Sequence, residues 1–195
     1  MLDPYLKPHL TALMDRMALK TSQSGLSANN LTGLSLLFGL SGCFLTGMMI
    51  YPLGLVLLAC GWFFEGLAGA VARATQITDR GIYASQISHV ILSASFPFFF
   101  MLSAPTQTMG AAILLFTYVL MIASRYAYLY FTQKTGLART GKFELVERTE
   151  IMLFTVLSCI FPGYFAAFAI VFALLCLASA IMRMAKTFKI LGLQT

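Results

Sequence analysis

Two stretches of 44 residues, 21–64 and 81–124, contain no Asp, Glu, Lys or Arg, and a third of 32 residues runs from 151 to 182. A helix needs roughly 20 apolar residues to cross the hydrocarbon core of a bilayer, so each stretch holds close to two crossings. Each is broken near its middle by turn-forming residues: Tyr51-Pro52, Ser103-Ala104-Pro105 and Pro162-Gly163. Three helical hairpins follow. The expected spans are 31–50, 52–73, 83–103, 107–130, 147–161 and 164–185, the fifth of them short, with Glu147 and Glu150 at its charged end.

Composition agrees with this reading. Of 195 residues 59% are hydrophobic and 10% charged, with a mean hydropathy of +0.83, whereas soluble domains carry about 25% charged residues. In lipid every backbone polar group needs an internal partner, which leaves helices or closed barrels. The expected fold class is an all-α membrane protein of six transmembrane helices with an N-terminal interfacial helix. One domain covers 1–195, with 1–28 as the interfacial segment and 29–187 as the bundle. Nothing indicates a cleavable leader, because the first long apolar run begins only near Leu31.

All thirteen Lys and Arg residues fall on one side of these spans. By the positive-inside rule both termini are expected in the cytoplasm. The net charge of +6 is scattered singly among apolar runs and forms no basic stripe, so nucleic acid is not an expected partner. Cys43, Cys60, Cys159 and Cys176 sit inside apolar runs without CxxC spacing, which supports neither a disulfide framework nor a zinc site. Leu2, Leu6, Leu10, Leu13 and Met17 recur at helical spacing opposite Lys7, Thr11 and Asp15. That stripe suits a helix lying in the membrane interface, or one packed on its own cytoplasmic loops.

The segment Glu65–His89, EGLAGAVARATQITDRGIYASQISH, carries the functional signal. It resembles the signature of the CDP-alcohol phosphotransferases, Asp-x-x-Asp-Gly-x-x-Ala-Arg followed by Gly-x-x-x-Asp-x-x-x-Asp. Gly69, Ala72, Arg73 and Gly81 match, while the four acidic positions are Glu65, Ala68, Ser85 and His89. The spacer between Arg73 and Gly81 is one residue short, and the alternative register would put Gln86 and Val90 at the last two acidic positions. Gly25–Thr32 is similar to the Ser-Pro-Asn-x-Leu-Thr entry to the family's first membrane helix, with Ala28 in place of the proline.

The resemblance implies transfer of a phosphoalcohol group from a CDP-linked lipid donor to an alcohol, with Mg2+ or Mn2+ held by carboxylates. It makes Thr32, Gly66, Gly69, Arg73 and Ser85 the expected substrate-binding residues, Glu65 the metal ligand and His89 the catalytic base. Magnesium prefers oxygen ligands, and two ions facing one carboxylate would be poorly held. The expected function is therefore a phospholipid-biosynthesis protein of this type that is catalytically impaired or non-catalytic, a pseudoenzyme. The alternative is an active transferase using Glu65, His89 and Ser85, with Glu147 or Glu150 brought in from the fifth span.

Individual residues also have simpler readings. Gly66 and Gly69 suit tight packing of two membrane helices at least as well as a close-approaching diphosphate. Arg73 at a helix end is ordinary membrane topology, and His89 suits a hydrogen-bonded pocket residue. Glu65, an ionisable residue in an otherwise apolar helix, points to function. Expected partners are membrane lipid, a CDP-linked lipid donor, and either a second copy or an active relative in a heteromer. The expected location is a bacterial inner membrane.

Overall fold

The computed structural model describes residues 14–23, 25–103, 105–134, 146 and 148–192. A helical stretch over 14–23 (α1) precedes α2 (Ala28–Gly47), α3 (Tyr51–Ala74), α4 (Asp79–Ser103), α5 (Thr108–Lys134), α6 (Arg148–Ile160) and α7 (Phe165–Gly192). The expected all-α architecture is what the described residues adopt. Helices α2, α3, α4, α5 and α7 are each long and apolar enough to cross a membrane. The fifth expected span is α6, whose 13 residues extend only about 20 Å. That is short of a hydrocarbon core of about 30 Å. Glu147 lies outside the described residues.

The breaks between helices follow the local sequence. Ser27 caps α2, its hydroxyl accepting from the Asn30 N–H at 3.2 Å. The turn between α2 and α3 puts Met49 at φ 64 and is closed by the Ile50 N–H donating to the Leu45 carbonyl at 2.9 Å. Pro52 opens α3, where its missing N–H costs no helical bond. Thr78 receives the Gly81 N–H at 3.1 Å and starts α4. A single 3-10 turn, Pro162–Tyr164, separates α6 from α7, and the buried Gln107 side chain accepts from the Ala166 N–H at 2.9 Å, satisfying a free donor in the first turn of α7.

Helix α2 packs mainly on α3 and α4, and α5 mainly on α7. The α2–α3 contact is backbone against backbone. A Cβ added at Gly42 would meet the Gly54 carbonyl oxygen at 2.8 Å, and one at Gly61 would meet the Gly39 nitrogen at 3.0 Å. In lipid, where water does not drive helices together, such close approach supplies the dispersion contacts. Aromatic rings pack in the core between α4, α6 and α7, with Phe100 stacked on Phe165 at 4.0 Å and Phe154 on Phe172 at 4.8 Å. Leu37, Val56, Phe116 and Leu174 are exposed on the helix flanks, as a lipid-facing surface requires.

The first helix packs on the bundle. Ala18 is fully buried, and Met14 and Met17 lie against a cluster that includes Leu31, Leu67 and Val71. Of the N-terminal apolar stripe, Leu2, Leu6, Leu10 and Leu13 are outside the described residues; Met17 faces the bundle.

Candidate functional site

The signature residues occupy the end of the bundle where α2 begins, α3 ends and α4 begins. Two cavities open there. An outer groove is lined by Thr32, Ala68, Gly69, Arg73, Ser85 and Gln86, among others. An inner cavity holds Glu65, His89, Arg148, Ser93 and Tyr118 against an apolar wall that includes Trp62 and Phe96.

Helical spacing puts 65 beside 68 and 85 beside 89, and the fold then divides the four acidic positions of the signature between the two cavities. Ala68 and Ser85 line the groove; Glu65 and His89 line the inner cavity. The register question has a geometric answer. His89 Nδ1 stands 3.6 Å from Glu65 Oε1, while Val90 lines a separate surface groove with Tyr83 and Tyr126. His89 is therefore the α4 residue that faces Glu65.

Glu65 is the central group. Its side chain is 8% exposed, and its Oε1 is 3.0 Å from Arg148 Nη2. Oε1 accepts no hydrogen bond from any described residue, so the guanidinium is held by charge, with no N–H aimed along the contact. The 3.6 Å to His89 is likewise too long for a hydrogen bond.

From sequence, Arg148 counted only as one of the thirteen basic residues on one side of the spans. Its position three, four and seven residues before Ile151, Met152 and Thr155 puts all four on one helical face, and all four line the cavity. That spacing was the available signal. Glu150, proposed from sequence as a compensating carboxylate, does not line this cavity.

In the outer groove, Thr32 donates its hydroxyl to the Ala28 carbonyl at 3.0 Å. Arg73 donates from Nη2 to Asp15 Oδ1 at 2.8 Å, with both side chains about half exposed. Gly69 lines the groove, and a Cβ there would meet only Arg73 Nη1 at 3.7 Å. At Gly66 a Cβ would meet the Met14 side chain of α1 at 3.6 Å. Both are ordinary contact distances, so helix packing does not require glycine at either position, contrary to the packing preference drawn from sequence. The positions that do require it are those of the α2–α3 contact.

A divalent-metal site of the kind the signature implies does not fit these residues. Among the described residues no three His, Cys, Asp or Glu side chains gather closely enough to hold a metal ion. Beside Glu65 stand an imidazole and a guanidinium, where magnesium would need oxygen donors.

No family profile matches the chain. It is 29% identical, over 197 aligned positions covering 90% of each chain, to Inner membrane protein YnjF of Escherichia coli (strain K12). Its fold matches that of Mycobacterium tuberculosis phosphatidylinositol phosphate synthase (PgsA1), solved with CDP-DAG bound, at a TM-score of 0.76 and 16% identity, covering 91% of this chain and 94% of that one. The chain is thus an integral membrane protein with the fold of the CDP-alcohol phosphotransferases.

Proposed function

We propose that this protein belongs to the CDP-alcohol phosphotransferase family and serves phospholipid biosynthesis without catalysing phosphoalcohol transfer. One observation carries the reading. Glu65, the sole carboxylate at the four acidic signature positions, is buried and already paired with Arg148 at 3.0 Å. Transfer from a CDP-linked donor develops charge on phosphate oxygens, which the family offsets with divalent metal. A carboxylate already neutralised by a guanidinium holds such ions poorly.

The outer groove keeps polar groups suited to the headgroup of a CDP-linked lipid. Arg73 offers a guanidinium to a diphosphate, Thr32 and Ser85 offer hydroxyls, and Gly69 leaves the backbone approachable. Lipid binding without turnover, in a bacterial inner membrane with both termini cytoplasmic, fits a role beside an active relative in a heteromer, or as a homodimer.

The test is CMP release from CDP-diacylglycerol with a panel of acceptor alcohols, in Mg2+ or Mn2+. The unmodified protein should release none, and a variant carrying Ala68→Asp, Ser85→Asp and His89→Asp should gain release. The second reading, an active transferase with an altered site, draws on His89 and Glu65 sharing one cavity 3.6 Å apart, and on an imidazole serving as base. Robust release by the unmodified protein would establish it in place of the first.

A further inference from the structure

The inner cavity contains one carboxylate and one guanidinium in direct contact, with His89 beside them. We propose that Arg148 is the resident counter-cation of this cavity: its guanidinium takes the place of the divalent ion that the signature implies, and keeps such ions out. The inference rests on the reading of Glu65 given above and extends it to a named residue that carries the charge of the missing metal.

Three observations combine. The Glu65 side chain is nearly enclosed, so its charge needs a partner close by. Arg148 supplies it at 3.0 Å with a group that stays charged at any physiological pH. Among the described residues Oε1 takes no hydrogen bond in return, so the contact works as charge against charge, as an ion would. Arg148 is also the first residue of α6, and the partial positive charge of that helix N-terminus adds to the guanidinium. A divalent ion entering would meet this positive charge with no second carboxylate among the described residues of the cavity lining to offset it.

Trp62 lines the same cavity and is the chain's single tryptophan, so its fluorescence reports on the site without a label. Manganese quenches nearby fluorophores and accepts both carboxylate and imidazole ligands. The experiment titrates Mn2+ into the purified full chain in detergent, following Trp62 emission and the melting temperature against an EDTA control. In the unmodified protein and in Arg148→Lys, neither signal should respond saturably. In Arg148→Met, Mn2+ should quench Trp62 saturably and raise the melting temperature, and both effects should vanish in Arg148→Met/Glu65→Gln.

Saturable quenching of the unmodified protein that is lost in Glu65→Gln would overturn the inference, as would an Arg148→Met protein indifferent to Mn2+. Should Arg148→Met not fold, the unmodified protein's titration decides alone. The readout is binding and stability, so CMP release without any Mn2+ response would remove the proposed function and leave this inference standing. A Mn2+ response at Glu65 without CMP release would do the reverse.

Discussion

Arg148, at the start of α6, lies 3.0 Å from Glu65 in α3, so one ion pair joins two helices through residues 83 positions apart in the chain. α6 is also short and reaches α3 through few other contacts. The pair therefore does two things at once: it neutralises a buried carboxylate, and it anchors α6 against the signature helix.

A double-mutant cycle on Glu65→Gln and Arg148→Met should show that coupling. Breaking a buried pair from one side costs about 3–5 kcal/mol, and because Arg148 is 44% exposed the loss here should be on the order of 2 kcal/mol. The double variant should recover part of the melting temperature lost by Arg148→Met alone. Strictly additive losses would mean that the contact carries no energy.

Glycine substitutions should separate packing from binding. Gly61→Val forces a side chain into the α2 backbone, where even a Cβ would approach the Gly39 nitrogen at 3.0 Å, and should cost roughly 1–3 kcal/mol through overpacking. Gly69→Ala has room, with its nearest neighbour at 3.7 Å, and should leave the melting temperature unchanged while weakening binding of a CDP-linked lipid. Equal destabilisation by the two would contradict the geometry.

Docking of α1 should depend on apolar contact more than on its ion pair. Asp15 and Arg73 are both about half exposed, and such surface pairs contribute about 0–1 kcal/mol, so Asp15→Asn should change little. Ala18→Asp puts a charge where the native side chain is fully buried and should release the helix. Hydrogen exchange over 14–23 would show protection retained in the first variant and lost in the second.

Arg183 ties α7 to α5. It is buried and donates from Nη1 to the Met121 carbonyl at 2.8 Å and to Ser124 Oγ at 2.9 Å. Hydrogen bonds from charged donors contribute about 1.5–3 kcal/mol each when lost from a buried site. Arg183→Met should lower the melting temperature clearly, and Arg183→Lys, which keeps the charge but not the fork of donors, should recover only part of it.

Hydropathy and charge spacing made most of the architecture legible. The charge-free stretches place the six helices of the bundle to within four residues at every boundary except the end of α7, which runs seven residues past 185, and the turn residues at Tyr51-Pro52, Ser103–Pro105 and Pro162-Gly163 mark where the chain reverses. These are local properties: a backbone in lipid must bond within its own helix, so each segment declares itself without reference to its neighbours. The short fifth helix was also visible, since only 11 residues lie between Glu150 and the Pro162 break.

Which charges meet was a different matter. The sequence by itself determined that this chain forms membrane helices, that Glu65 is an isolated carboxylate in an apolar helix, and that positions 68, 85 and 89 of the segment resembling the signature carry Ala, Ser and His. Only the tertiary structure decided that Arg148 partners Glu65, that His89 and not Val90 faces it, and that the signature residues divide between two cavities. Hydropathy depends on a residue and its near neighbours along one helix, whereas an ion pair across the bundle depends on how helices rotate and stagger against each other. That arrangement is set by side-chain packing summed over every interface at once.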